Sequence, residues 1–297
     1  MMDRTWASEL NSIPVGLYEK ALPKDLTWEE RLLLTFQTGF DFLEISIDDT
    51  DERIARLDWT PKQRRDLKNL IERTDVRIQS LSLSAHRRFP LGNQSPATQS
   101  RALDIFKKSI DLAVELGIRY MLIGGAEDYY GEVDQGSQER FLENLSVGFQ
   151  HASGSGVMLA LENWDIQINT MPRVMEYVNY FNSPWFQTYT DLGNLIYAGV
   201  DVVSQLEYVQ GHIAALHVKD TLPGQLRFVN PGEGEVPFVA AFTKLAEIGF
   251  QAPVVLELWT EEYPDALQIV ERAGKFIRAK MEEGWEKHKS KMVIKGV

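Results

Sequence analysis

The chain has 297 residues, 44% of them hydrophobic and 25% charged, the balance of a folded protein able to bury a large core. Against 31 Lys and Arg stand 43 Asp and Glu, a net charge of −12, so nucleic-acid backbones and anionic membrane surfaces are disfavoured partners. Cysteine is absent, which excludes disulfides and leaves any metal only nitrogen and oxygen donors. In chain order, the opening MMDRTWASEL lacks the apolar centre of a signal peptide, and no later run reaches membrane-spanning length, so a cytoplasmic protein is expected. Strand-like and helix-like stretches then alternate. The expected strands are Ile13–Tyr18, Phe42–Ile47, Val76–Leu83, Tyr120–Gly124, Val157–Glu162, Phe186–Asp191, Ile213–Val218 and Pro253–Leu258. The expected helices begin with Leu26–Thr38 and Pro61–Arg73, the second with Pro61 in its first turn behind a Thr60 cap. Ser100–Leu116 follows, with Leu103, Phe106, Ile110, Ala113 and Val114 at helical spacing. Gln138–Ala152, Met171–Phe181, Val202–Val209, Pro237–Ile248 and Pro264–Glu283 complete the series. Gly39, Gly117, Gly156 and Gly249 each stand just before a strand, where a helix must end and turn.

Eight strand–helix repeats predict an α/β fold, a single-domain (β/α)₈ TIM barrel spanning about residues 13–283. The Lys- and Glu-rich stretch that follows, 284–297, reads as a charged tail and solvated helix end. An open doubly wound sheet is the alternative. It is weakened by the count of eight and by the lack of a G-x-G-x-x-G turn after the first strand.

Four strand-like runs in the second half, LALEN, YTDLGN, ALHVKD and VLELW, each end near a residue able to bind a metal: Glu162, Asp191, His217 and Glu257. The gaps of 29, 26 and 40 residues each hold one helix and a return, so successive barrel strands would deliver all four to one rim. Singly, each has an ordinary reading. A strand-end Glu is usually solvated, Asp191 could be a turn residue and His217 a core histidine. It is the recurrence on four consecutive strands that points to a site. One imidazole and three carboxylates suit Zn²⁺ or Mn²⁺ first, and Co²⁺ or Mg²⁺ as well. They also carry more negative charge than a divalent ion neutralises, so a carboxylate is left to act as a base. His212, five residues before His217, falls about 16 Å away at ~3.3 Å per residue and belongs to the opposite rim. His151 and His288 receive no role.

Several longer runs carry a specific likeness. IPVGLYEKALP (Ile13–Pro23), GFDFLEISIDDTDER (Gly39–Arg53), RLDW (Arg56–Trp59), LSAHRRFPLG (Leu83–Gly92), NSPWFQ (Asn182–Gln187), DLGN and HVKDT resemble the L-ribulose-5-phosphate 3-epimerases. These are also called L-xylulose-5-phosphate 3-epimerases and are xylose-isomerase-like TIM barrels. The likeness runs from about Ile13 to Arg278. It implies one bound divalent metal held at Glu162, Asp191, His217 and Glu257, with Glu162 and Glu257 exchanging the C3 proton of a 2-ketose 5-phosphate. It also implies a small phosphorylated ketopentose as substrate, a homodimer, and a place in the catabolism of L-ascorbate and related L-sugars.

Beyond the ligands, His86, Lys219, Asn194, Glu44 and Arg227 are the expected substrate contacts. The phosphate is expected near the loop after strand seven, which holds Lys219, Arg227, Gly232 and Gly234, or near His86-Arg87-Arg88. Arg88 and Arg227 could equally be solvated charges. Trp164 and Trp259 are placed to wall the pocket, although an aromatic at a barrel mouth is more often packing. Departures from the family pattern are modest, and N-W-D after Glu162 is a variable segment. Three rival functions remain: an aldose–ketose 1,2-isomerase or an epimerase of another ketose or hexulose phosphate on the same ligands, a DNA-repair endonuclease, and a sugar-binding protein without chemistry. Five histidines and the acidic balance argue against the endonuclease. The complete ligand set argues against the inactive protein.

Overall fold

The computed structural model describes residues 13–164 and 166–295. Eight parallel strands close into a barrel in sequence order: β1 (Val15–Tyr18), β2 (Phe42–Ile47), β3 (Arg77–Leu83), β4 (Tyr120–Gly124), β5 (Met158–Glu162), β6 (Phe186–Asp191), β7 (Ile213–Val218) and β8 (Val254–Leu256). Closure comes from β8 pairing with β1, Val15 opposite Val254 and Leu17 opposite Leu256. The helices are α1 (Trp28–Gln37), α2 (Asp51–Ile54), α3 (Pro61–Thr74), α4 (Pro96–Leu116), α5 (Ser137–Ser155), α6 (Met171–Phe181), α7 (Leu192–Tyr197), α8 (Val202–Tyr208), α9 (Phe238–Glu247) and α10 (Ala266–Lys295).

Local chemistry sets the helix ends. Thr27 and Thr60 each close a capping box, with Glu30 and Gln63 returning the bond, and Pro61 occupies the first turn of α3. Helix α4 starts at Pro96, four residues before the expected Ser100, because the Ser95 hydroxyl accepts from Thr98 N–H and caps it there. At Gly117 and Gly156 the chain leaves α4 and α5 with φ of 71° and 76°, a conformation an L side chain rarely adopts. Within α4, Val114 lies outward, and the buried face runs instead through Ala102, Ile105, Phe106, Ile110, Ala113 and Leu116.

The charged C-terminal stretch departs from expectation. Helix α10 continues to Lys295, and both Trp285 and His288 are buried, Trp285 against the ring of Phe242. A close passage makes this possible: a Cβ on Gly284 would come within 2.5 Å of Phe242, so only glycine lets α10 lie flat on α9.

Strand alternation sorts the side chains into two cores. Leu43, Ile45 and Ile47 of β2 face the helices, in the large cluster between barrel and helical ring. Phe42 faces inward with Leu122, Ala160, Tyr189, Ala215 and Val255. Phe42 fills the floor so fully that a Cβ on neighbouring Gly16 would lie 2.3 Å from its ring. This inner layer has a consequence above it. Glu162, Asp191, His217 and Glu257 each stand two residues beyond Ala160, Tyr189, Ala215 and Val255, so the pleat turns all four into the barrel, one layer nearer its carboxyl end.

Candidate metal centre

Glu162 and Asp191 are the last residues of their strands, His217 is next to last in β7, and Glu257 lies one residue past β8. All four are buried, and one donor atom from each falls within 4.8 Å of the others. His217 Nδ1 lies 3.0 Å from Glu162 Oε1, 3.7 Å from Glu257 Oε2 and 4.0 Å from Asp191 Oδ2. Two donors each about 2.1 Å from one ion are at most about 4.2 Å apart, and the three distances from His217 meet that limit, while the whole set spans up to 4.8 Å.

Each ligand is held from behind. The Asn163 side chain accepts from Asp191 N–H at 2.8 Å and donates to the Asp191 carbonyl at 3.0 Å, locking β5 to β6. Asp191 Oδ1 caps α7 by accepting from Asn194 N–H at 3.0 Å. Its Oδ2 points into the cluster, where it is ion-paired with Lys219 Nζ at 2.7 Å. The Trp164 indole N–H donates to Glu162 Oε2, and the Lys219 ammonium donates to Glu257 Oε2 at 2.9 Å. Gly124 makes room for the indole, since a Cβ there would lie 1.8 Å from it.

The electrostatics favour added positive charge. Four buried carboxylates, counting Glu44, surround His217, and Lys219 is the one buried ammonium among them. Burial opposes charge on the His217 ring, yet Glu44 and Glu257 hold its pKa well above the ordinary histidine value. Burial pushes the Asp191 carboxyl up to about 7, with Lys219 opposing. For Glu257, burial acts in the same upward direction, but Lys219 and His217 outweigh it and keep the group below the usual carboxylate range. An inward-facing Asp191 oxygen, a nitrogen–oxygen donor set and an excess of negative charge together fit a divalent cation.

The expected substrate contacts fall into two groups. Lys219, Asn194 and Arg227 stand at or beside the cluster. Asn194 donates to the Asn163 carbonyl at 2.7 Å, and its buried Oδ1 has no hydrogen bond. Arg227 and Lys219 both lie over the Trp259 ring, each 5.2 Å from its centroid. Of the other two, Glu44 makes all its bonds within the barrel, and His86 is engaged through Nε2 while its buried Nδ1 has no hydrogen bond. Glu44 is fully buried below His217, with Oε1 bonded to His217 Nε2 at 2.7 Å and Oε2 accepting from Tyr189 and Ser80 hydroxyls at 2.6 Å each. His86 is buried edge-on to Phe106, with Nε2 3.3 Å from the Ala102 carbonyl of α4; burial lowers its pKa to about 4.

The loop after β7 also differs from expectation. The amides of Gly232 and Gly234, offered as phosphate donors, are spent on Asp220 Oδ2 at 2.7 and 2.9 Å, and Val236 N–H bonds Oδ1 at 3.1 Å. A fixed internal carboxylate fills this nest of amides. Arg88 pairs with Asp51, and Arg87 stacks 4.3 Å from the Trp164 ring centroid. His212, at the start of β7, bonds Gln187, and His151 pairs with Asp111 on the helical ring.

The mouth carries a second buried charge network, with no periodic signal in the sequence to announce it. Fully buried Glu19 accepts from Arg56 at 2.8 Å, Arg53 at 3.2 Å and Ser46 N–H at 2.8 Å. Arg53 reaches on to Asp48 at 3.0 Å and to Glu261 at 2.8 Å, tying the loops after β1, β2 and β8 together. Tyr18 stands between this network and the centre, its hydroxyl 3.0 Å from Ser46 Oγ and its ring 6.2 Å from that of His217. A groove of 620 Å³ between α9 and α10 includes none of the four candidate ligands. A cavity of 100 Å³ does touch the centre, bounded by Lys219, Glu257, Trp259, Phe228, Asn230 and Tyr263.

A closed parallel barrel with a buried carboxylate–imidazole cluster at the carboxyl ends of its strands defines a class, the TIM barrels able to hold a metal ion at their mouth, and comparison with known proteins narrows it. The family model of the xylose isomerase-like TIM barrels matches residues 33–280. L-ribulose-5-phosphate 3-epimerase UlaE of Escherichia coli O1:K1 is 43% identical over 270 residues, covering 91% of this chain and 95% of that one. Among solved structures, an L-ribulose 3-epimerase superimposes with a TM-score of 0.75 at 20% identity, over 95% of this chain and 98% of the other. D-psicose 3-epimerase of Clostridium cellulolyticum H10 superimposes with a TM-score of 0.75 at 18% identity, over 91% and 99%. The chain belongs to the xylose isomerase-like TIM barrels, and within them to the family of the L-ribulose-5-phosphate 3-epimerases.

Proposed function

We propose that the protein is a metal-dependent sugar-phosphate epimerase that interconverts L-ribulose 5-phosphate and L-xylulose 5-phosphate by inverting C3. The observation that carries this reading is the convergence of Glu162, Asp191, His217 and Glu257 within 4.8 Å, in a chain 43% identical to UlaE. Those four residues would hold one divalent ion, Zn²⁺ or Mn²⁺ before Co²⁺ or Mg²⁺. When bound, such an ion supplies Lewis-acid polarisation of a substrate carbonyl.

The chain's own residues supply the proton transfer. In a 2-ketose the C3 proton is acidic because it lies next to the C2 carbonyl. One of Glu162 and Glu257 removes it from one face, and the other returns a proton to C3 on the opposite face, so the net change is inversion with no redox step. The two carboxylates have different partners: Glu162 accepts from a neutral indole N–H and Glu257 from the Lys219 ammonium. In this reading Lys219 and Asn194 would orient substrate hydroxyls, Trp164 and Trp259 would exclude water, and Arg227 would receive the phosphate. From the same relationship we propose a homodimer working in the cytoplasm on L-sugars such as those from L-ascorbate, with no nucleic-acid or membrane partner; no helix among the described residues is long and apolar enough to cross a membrane.

The test is incubation of the zinc- or manganese-loaded protein with L-xylulose 5-phosphate in D₂O, followed by NMR. Deuterium is expected at C3 with L-ribulose 5-phosphate appearing, and both are lost in Glu257→Gln. Deuterium at C1 with an aldose product would instead identify a 1,2-isomerase.

A further inference from the structure

We propose that Glu44, clamped by Tyr189 and Ser80, is a positioning residue that fixes which nitrogen of His217 faces the cation site. The proposal rests on the reading that Glu162, Asp191, His217 and Glu257 hold a divalent ion. It assigns a specific task to a buried carboxylate outside that set.

The two nitrogens of His217 meet different surroundings. Nδ1 faces Glu162, Asp191 and Glu257, whereas Nε2 faces Glu44 Oε1 alone at 2.7 Å. A neutral imidazole carries one N–H, and a liganding nitrogen must offer its lone pair. With the Tyr189 and Ser80 hydroxyls both donating to Oε2, Glu44 Oε1 is left as the acceptor facing Nε2, so the ring N–H belongs on Nε2 and the lone pair of Nδ1 is aimed at the cluster. Glu44 cannot itself join the ligands without abandoning these bonds, because the imidazole ring lies between it and the site, and Oε2 takes both hydroxyls, from Tyr189 on β6 and Ser80 on β3. Glu44, His217, Tyr189 and Ser80 are 0–1% exposed, and the layer around them includes the apolar Phe42, Leu122, Ala160, Ala215 and Val255. A carboxylate there is costly unless each bond is made, and three strands donate to make them. The arrangement is a carboxylate–histidine pair behind a ligand, which fixes the ring and strengthens its donor nitrogen.

Zinc affinity, measured by competition with a chromophoric chelator, and ¹⁵N NMR of histidine-labelled, zinc-loaded protein test the assignment together. With five histidines in the chain, His217 is identified by comparison with single His→Gln variants. In the wild type a protonated Nε2 with a slowly exchanging N–H and a metal-shifted Nδ1 are expected. Glu44→Gln keeps the shape and one acceptor but removes the charge; its zinc affinity is expected to fall about 10-fold, and Glu44→Ala about 100-fold with loss of the Nε2–H signal. Tyr189→Phe, which retains the ring packing, is expected to weaken zinc by a few-fold and shift the same N–H resonance. The two near-isosteric variants decide the matter if Glu44→Ala does not fold. Unchanged affinity and an unchanged N–H in folded Glu44→Gln, or a wild type with zinc on Nε2, would overturn the proposal. A wild type that binds no zinc would overturn the metal reading itself, which separates the two failures.

Discussion

Replacing Arg227 isolates the phosphate from the rest of the reaction. Around the mouth, Lys20, Lys24, Arg53, Arg56, Arg88 and Arg173 all pair with carboxylates. Arg227 has no such pair among the described residues, and its buried Nε has no hydrogen bond. It lies over Trp259, which follows Glu257 by two residues, on the loop after the seventh strand, where barrels commonly hold phosphate. A charge-assisted hydrogen bond contributes about 1.5–3 kcal/mol. Because the Arg227 side chain is only half-buried, the lower part of that range applies, about 1.5–2 kcal/mol, or roughly 10- to 30-fold in kcat/KM. The assay compares L-ribulose 5-phosphate with unphosphorylated L-ribulose. Arg227→Met should lose that factor on the phosphate ester alone, and Arg227→Lys should recover part of it. Arg227 also lowers the Glu257 pKa from a distance. An equal loss on both substrates would therefore mean that it acts through Glu257, and the phosphate assignment would be refuted.

Other outcomes follow from the surrounding structure. Glu19→Gln removes the only carboxylate paired with Arg56 among the described residues, leaving a buried cation; urea unfolding should show a loss of about 3 kcal/mol, and a loss below about 0.5 kcal/mol would contradict the network's role. His86 titrates near 4 when folded and near 6.5 when unfolded, so the unfolded chain takes up its proton first as pH falls. The stability it contributes is complete above about pH 6.5 and is lost towards pH 4, about 3 kcal/mol in all. His86→Asn should lose less stability than wild type across that window, and parallel pH curves would rule the buried imidazole out as the cause. Asp220→Ala unties the amides of Gly232, Gly234 and Val236, so their hydrogen exchange should accelerate at least about 10-fold, with KM rising for the phosphorylated sugar; unchanged protection would show that the loop is held by other contacts.

The barrel and the centre of its mouth were legible in the sequence because both are written in short-range periodicity. An apolar run with period two gives a strand, a glycine in the left-handed region ends the helix before it, and a ligand two residues beyond an inward-facing Ala, Tyr or Val must share that residue's face. Glu162, Asp191, His217 and Glu257 could therefore be picked out before their distances were known. Their four strands follow one another in chain order and close in that order, so no long-range pairing had to be guessed.

What surrounds the four residues was decided by tertiary structure. Glu44 reads in the sequence as a substrate contact until barrel closure brings β2 beneath β7, 173 residues away in sequence, and only then does its bond to His217 exist. The Gly232–Gly234 loop reads as a phosphate cradle because its composition suits one, but whether its amides are free depends on where Asp220 points. Arg53 and Glu261 meet across 208 residues, and Trp285 is buried because α10 passes α9 closely at Gly284. In each case composition permits several partners, and the choice among them is a matter of which strands and loops the closed barrel brings into contact. Sequence determined the class of chemistry and the strand ends that carry it. Packing determined which charges are spent on one another and which are left to meet a substrate.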